Sequence, residues 1–293
     1  MTDPTHRIAQ ETSIDARSFV DPLKELRDPP TFRLAFADAD FLMRRETRGI
    51  RVQLELLKPE LALREYGIHS TFVVFGSARL RSQEDADKQL QEAKEKLAQQ
   101  PDNLDLQKKM AQAERLVRDA HYYEEAREIG RLVGQYERQA HPQDKVYICT
   151  GGGPGIMEAA NRGASEANSP NIGLNIVLPH EQNFNPYITP ELCFRFHYFA
   201  TRKMHFLMRA KALITFPGGF GTLDELFEIL TLIQTHKTSA VPIILYGKEF
   251  WEKLINFDAL IDMGMISPED VDLFKYANSP QDTWAILKDW YQL

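Results

Sequence analysis

Two glycine-rich runs hold the residues best suited to chemistry. Thr150-Gly151-Gly152-Gly153-Pro154-Gly155 follows the apolar stretch VYICT, and Pro217-Gly218-Gly219-Phe220-Gly221-Thr222 follows ALITF. Each leads into a helix-forming segment, IMEAANRGASEA and LDELFEIL. Glycines at a helix start let an anion approach bare backbone N–H groups, and the positive end of the helix dipole attracts it. Either run alone also fits a tight turn made only for packing; two in one chain point to a phosphate or nucleotide ligand. Glu225 lies one helical turn past Gly221 and Thr222, with Asp224 about 100° away round the helix. Arg202 and Lys203 open the helix before the strand that feeds the second run. A carboxylate and an arginine converging on a phosphate-sized anion suit hydrolysis of a phosphorylated small molecule. Taken alone, Glu225 would need no explanation beyond dipole complementation, worth about 0.3 to 1 kcal/mol.

Other chemistries lack their residues. A P-loop requires G-x-x-x-x-G-K-[ST], and neither run has the lysine; a dinucleotide fingerprint requires G-x-G-x-x-G, and the position after Gly155 is Ile156. No HExxH or similar cluster occurs among the 8 histidines, so no metal and no cofactor are expected. His180, His197, His205 and His236 read as core-edge or rim residues. Cys149 and Cys193 lie in apolar stretches without CxxC spacing, as buried thiols of a reducing compartment do. With 35 Lys+Arg against 42 Asp+Glu in 293 residues, the net charge of -7 disfavours a nucleic acid polymer as partner. The first 22 residues contain no apolar signal-peptide core, and no later stretch approaches the roughly 18 apolar residues of a membrane span. A cytoplasmic location without membrane association is expected.

The elements that must position these residues follow from the hydropathy pattern. Residues 1–30, with Pro4, Pro22, Pro29 and Pro30, read as an arm, and 32–66 as one or two helices ending at Gly67. HSTFVVFG at 69–76 is a buried strand entering a tight turn. Residues 82–140 read as a helical hairpin, one arm at 83–99 and the other at 103–139, its polar face solvated and its more apolar second half packed on the sheet. Strands follow at 146–150, 171–178, 193–199, 212–216 and 241–246. Helices are expected at 154–168, 201–209 and 222–235, then from Lys248, with LFKYA at 273–277 and a last helix near 282–291. Such alternation specifies an α/β fold, a Rossmann-like, doubly wound, mainly parallel sheet with N-terminal helices and an inserted helical hairpin. The expected division is 1–68 for arm and helices and 69–293 for the α/β domain, with the insertion at about 82–140.

The runs GGGPGIMEAA, Thr201-Arg202-Lys203 and PGGFGTLDE closely resemble the LONELY GUY (LOG) family of phosphoribohydrolases. Every fixed position of its PGGxGTxxE pattern is matched, as is the spacing from Arg202 to Glu225. The resemblance covers about residues 70–250, the helices outside it marking a longer bacterial variant. It implies cleavage of the N-glycosidic bond of a nucleoside 5′-monophosphate, AMP or an N6-substituted AMP such as a cytokinin riboside monophosphate, giving free base and ribose 5-phosphate. It further implies Arg202 and Glu225 as the catalytic pair. Gly218, Gly219, Gly221 and Thr222 would cradle the phosphate, and Gly152, Gly153 and Gly155 would border ribose and base. Gly76 and Ser77 would add a donor, and Lys203 would be a phosphate or supporting cation. Gly151, Pro154, Gly155 and Glu158 depart from the GGGxxGLMG run of cytokinin-activating members, a difference that bears on base choice and not on monophosphate handling. The resemblance also implies a homodimer or larger homo-oligomer; the apolar residues of 223–235 suit a helix buried against both sheet and partner.

Members of this family have carried a lysine decarboxylase label. That reaction needs pyridoxal phosphate held by a lysine, and neither glycine run contains one. The alternative compatible with the same residues is a non-catalytic nucleotide-binding sensor or regulatory protein of the same fold; the presence of both Arg202 and Glu225 favours the enzyme.

Overall fold

The computed structural model describes residues 29–178 and 183–292. The expected arm, except for Pro29 and Pro30, and His180 lie outside them. The chain divides into two compact units, with the boundary between Leu56 and Leu57. The described part of the first holds a short helix, α1 (Ala39–Leu42), capped by Asp38, whose carboxylate accepts from the Asp40 and Phe41 N–H groups. Thr47 ties off this turn by donating to the Leu42 and Arg44 carbonyls, both at 2.8 Å. The boundary falls within α2 (Arg48–Glu65).

The second unit is built on seven parallel strands: β1 (Thr71–Phe75), β2 (Tyr147–Thr150), β3 (Ile172–Ile176), β4 (Cys193–Phe196), β5 (Ala210–Thr215), β6 (Ile243–Tyr246) and β7 (Lys275–Ala277). Their spatial order is β4-β3-β2-β1-β5-β6-β7, the sheet growing first to one side of β1 and then to the other. The mainly parallel sheet read from the sequence is parallel throughout. Strands buried on both faces explain the continuous apolar runs. Along β1, Val73 and Phe75 join one core layer with Leu213, Phe206, Leu226 and Trp251, while Phe72 and Val74 join the other with Ile148, Ile129 and Ile156.

Within 83–139 the chain forms three helices where two arms were expected: α3 (Gln83–Gln99), α4 (Leu104–Asp119) and α5 (His121–Gln139). The break is at Ala120, fully buried, where no glycine or proline marks it. Its cause is tertiary: α4 pairs with α3, whereas α5 turns onto the sheet to serve as the crossover from β1 to β2. There it packs closely on α6 (Ile156–Glu166), the helix that follows the first glycine run. A methyl group at Gly163 would overlap the Arg127 carbonyl, so that crossing requires a bare backbone.

On the other side of the sheet lie α7 (Phe199–Met208) and α8 (Phe220–Gln234). The helix expected from Lys248 divides into α9 (Lys248–Leu254) and α10 (Phe257–Asp262), because Asn256 caps the second by accepting from the Ala259 N–H at 3.0 Å. The chain closes with α11 (Pro280–Tyr291). Among the described residues no helix is long and apolar enough to cross a membrane.

Candidate active site

Strand register brings the reactive loops together. Val74 of β1 is level with Thr150 of β2 on one side and Ile214 of β5 on the other, so the loops after these strands leave the sheet side by side. This is where the strand order reverses, the position at which open α/β sheets bind ligands. A cavity of about 670 Å³ opens there. Its wall takes Gly76 and Ser77 from the loop after β1, Gly153 from that after β2, Arg202 from α7, and Gly218, Gly219, Gly221, Thr222 and Glu225 from the β5 loop and α8. Nine of the twelve residues singled out in the sequence thus meet on one surface.

The β5 loop suits an anion. The cap of α8 is Gly219, no side chain satisfies its first N–H groups, and no acidic residue occupies its first turn. The start of α6 also lacks a side-chain cap but carries Glu158 in its first turn, which opposes an anion there.

Glu225 is 6% exposed, and burial pushes its carboxyl up to about 7, against the opposing pull of Lys203 and Arg202. Arg202 is fastened at the cavity wall: Nε donates to the Leu174 carbonyl at 2.7 Å and Nη2 to the Gly151 carbonyl at 3.3 Å. Its guanidinium also lies 5.0 Å from the centre of the Phe206 ring. Burial draws its pKa below the ordinary arginine value, with Glu225 acting in the opposite direction. A buried carboxyl that titrates near neutrality beside a desolvated guanidinium is what acid–base and electrostatic catalysis at neutral pH requires.

Three expected residues are not part of the cavity wall. Lys203 points to α8 instead, its Nζ 2.8 Å from Asp224 and 3.0 Å from Glu228. Burial lowers its pKa, but the hydrogen bonds to these two carboxylates outweigh that and leave it raised. Gly152 packs its backbone on the Asn175 amide. Gly155 has φ 73°, and a Cβ there would strike the Ser77 carbonyl; it joins the first two loops and does not border the ligand space.

Other residues at the site escaped the sequence reading. Asn175 lines the cavity, its amide oriented by donation to the Phe194 carbonyl at 3.2 Å. Its signal was a polar side chain in the apolar run NIGLNIVL. Arg79, Met157, Phe199 and Phe220 complete much of the rim. Behind the β2 loop runs a buried polar network. Asn161, fully buried, accepts from the Thr150 hydroxyl at 2.6 Å and from the Asn185 amide at 3.1 Å, and donates to Asn171 at 2.8 Å. Asn185 in turn donates from its amide to the Gly153 carbonyl and from its backbone to the Gly152 carbonyl. Among the described residues, no group of three or more His, Cys, Asp or Glu is placed to hold a metal ion.

Residues 157–287 match a family model described as "Possible lysine decarboxylase". A cytokinin riboside 5′-monophosphate phosphoribohydrolase of Arabidopsis thaliana is 30% identical over 90 residues, 30% of this chain and 42% of that protein. The matched segment is thus similar to LOG-family phosphoribohydrolases. A second relative, a pyrimidine/purine nucleotide 5′-monophosphate nucleosidase of Escherichia coli, is 30% identical over 137 residues, 42% of this chain and 27% of that protein. The chain thus spans less than half the length of either relative. A molybdenum cofactor carrier protein from Chlamydomonas reinhardtii aligns with a TM-score of 0.40 at 18% identity, covering 76% of this chain and 99% of that one. The segment matched by that family model contains Arg202, Glu225 and the whole β5 loop, and begins just after the β2 loop.

The decarboxylase wording of that description implies pyridoxal phosphate, and the residues do not fit it. No lysine lines the cavity, and Lys203, the neighbour of Arg202, is committed to two carboxylates. Among the described residues no lysine at this site is placed to form a Schiff base.

Proposed function

We propose that this protein hydrolyses the N-glycosidic bond of nucleoside 5′-monophosphates, releasing the free base and ribose 5-phosphate. The observation that carries the reading is the convergence of Glu225 and Arg202 on one cavity with the uncapped start of α8. The phosphate would sit on the N–H groups of the 218–222 loop, where the helix dipole favours it. That seat holds the ribose against Glu225. As the glycosidic bond lengthens, its electrons leave with the base and positive charge develops on the sugar. An ionised Glu225 would stabilise that charge and orient the attacking water, whose oxygen bonds to the anomeric carbon while its proton passes to the departing base. In a desolvated cavity such preorganised charge acts at full strength. Arg202, held by two carbonyls, would offer its remaining donors to the phosphate or to the base.

AMP is the first substrate to test and an N6-substituted AMP the second. The purified protein would be incubated with a panel of nucleoside monophosphates and free base measured by chromatography. Base release from at least one of them, abolished in Glu225→Ala, is the expected result; saturable binding without release would contradict the reading.

The same proposal includes a homo-oligomer. Phe199, Met204 and Met208 of α7 and Phe220 and Phe227 of α8 leave large apolar side chains exposed, Phe199 and Phe220 of them at the cavity, as a face covered by a second copy would. Light scattering of the purified protein is expected to give a dimer or larger species, and a monomer would contradict this part. A reducing, cytoplasmic setting is supported by Cys149 and Cys193, both free thiols.

A further inference from the structure

We propose that Arg79 is the cation that receives the ligand's phosphate and gives the site its preference for a 5′-monophosphate over the uncharged nucleoside, an inference that rests on the nucleotide reading above. Four charged side chains line the cavity: Arg79, Arg202, Asp224 and Glu225. A phosphate dianion seated at the start of α8 would lie close to two carboxylates on the same helix, and backbone dipoles alone offset that poorly. The cation expected from the sequence, Lys203, is consumed by Asp224 and Glu228. Arg202 spends two of its five donors on the Leu174 and Gly151 carbonyls, deep in the wall. Arg79 is different. Its side chain is exposed at the rim, and among the described residues no carboxylate pairs with it.

The loop that carries Arg79 is nevertheless fixed. The Ser77 N–H donates to the Pro217 carbonyl at 2.9 Å, joining this loop to the first residue of the anion-binding run. The Arg79 N–H donates to Ser77 Oγ at 3.1 Å. Arg81 braces the turn from behind by donating to the Ala78 and Leu80 carbonyls at 2.9 and 2.7 Å. The backbone of Arg79 is therefore anchored beside the phosphate seat while its guanidinium remains uncommitted. A planar fork of N–H donors suits two phosphate oxygens at once.

The test is binding of ribose 5-phosphate and of ribose by titration calorimetry to the wild type, Arg79→Lys and Arg79→Gln, together with AMP kinetics. Because the side chain is exposed, the variants are expected to keep the wild-type circular dichroism spectrum and melting temperature. Arg79→Gln is expected to weaken ribose 5-phosphate binding by about 10- to 100-fold, with Arg79→Lys between it and the wild type. For AMP the loss is expected in KM, with kcat changed by less than about threefold. Unchanged ribose 5-phosphate affinity in Arg79→Gln overturns the proposal, as does failure of the wild type to bind ribose 5-phosphate. If the wild type releases no base from any monophosphate while Arg79→Gln still weakens ribose 5-phosphate binding, the hydrolase reading fails and the role of Arg79 stands.

Discussion

Lys203 Nζ lies 2.8 Å from Asp224 Oδ1, so the lysine next to Arg202 bridges α7 to α8 and does not line the cavity. Asp224 is about half exposed, and a pair of that kind contributes at most about 1 kcal/mol. With Glu228 as a second partner at 3.0 Å, Lys203→Met is therefore expected to change the urea unfolding free energy by no more than about twice that. It should alter the electrostatics more. Lys203 is the strongest of the charges that pull Glu225 down, so removing it raises the Glu225 pKa above about 7. The acid limb of the kcat/KM profile should move to higher pH; a limb that stays in place would contradict this arrangement.

Glu225 itself gives a second pH prediction, in stability. Its folded pKa of about 7 lies above the ordinary value of 4.5, so between those values the folded chain holds a proton that the unfolded chain has released. Stability from this group is therefore present below pH 4.5 and lost as pH rises through 7, to a limit of about 3 kcal/mol. Under the proposed mechanism activity runs the other way, because the ionised carboxylate is its working form. Glu225→Gln should lose about 10² to 10⁴ in kcat, yet unfold at higher urea than the wild type at pH 8, with the difference shrinking at pH 5. Equal midpoints at both pH values would show that the carboxyl is not desolvated as described.

The Asn161 network predicts a stability cost remote from any ligand contact. Asn161→Ala would leave the Thr150 hydroxyl and the Asn171 and Asn185 amides without their partner in a buried site. The expected loss is about 2 to 4 kcal/mol by urea unfolding. A loss under about 0.5 kcal/mol would mean that the network does not hold the β2 loop.

Close packing of α5 on α6 is tested at Gly163. Gly163→Ala adds a methyl group where the Arg127 carbonyl already sits, so the helices must separate, at a cost of about 1 to 3 kcal/mol. A melting temperature equal to the wild type would contradict the bare-backbone crossing.

How much of this was legible in the sequence varies with the kind of signal. Every strand from β1 to β6 was readable because buried parallel strands are continuous apolar runs bounded by turns, and the glycine runs marked which strand ends matter. Arg202 and Glu225 were readable because their spacing accompanies a motif. The break at Ala120 was not, since a change in packing partner leaves no breaker residue there. Which of its two expected roles Lys203 takes was not readable for a similar reason: adjacent residues on a helix point about 100° apart, and the sequence does not say which one faces the cavity. The carboxylates that claim Lys203, Asp224 and Glu228, lie on the next helix. Arg79 was missed because an arginine four residues past a strand looks like any solvated loop residue until the Ser77 to Pro217 hydrogen bond fixes its loop beside the start of the β5 loop.

Hydrolysis at this site is tested most directly by following AMP with the wild-type protein and quantifying adenine, ribose 5-phosphate and residual AMP in the same quenched samples. Adenine and ribose 5-phosphate appearing in equal amounts as AMP disappears, with Glu225→Gln slower by at least about a hundredfold, is the predicted result. AMP recovered intact, from a protein that binds it saturably, would contradict hydrolysis at this site.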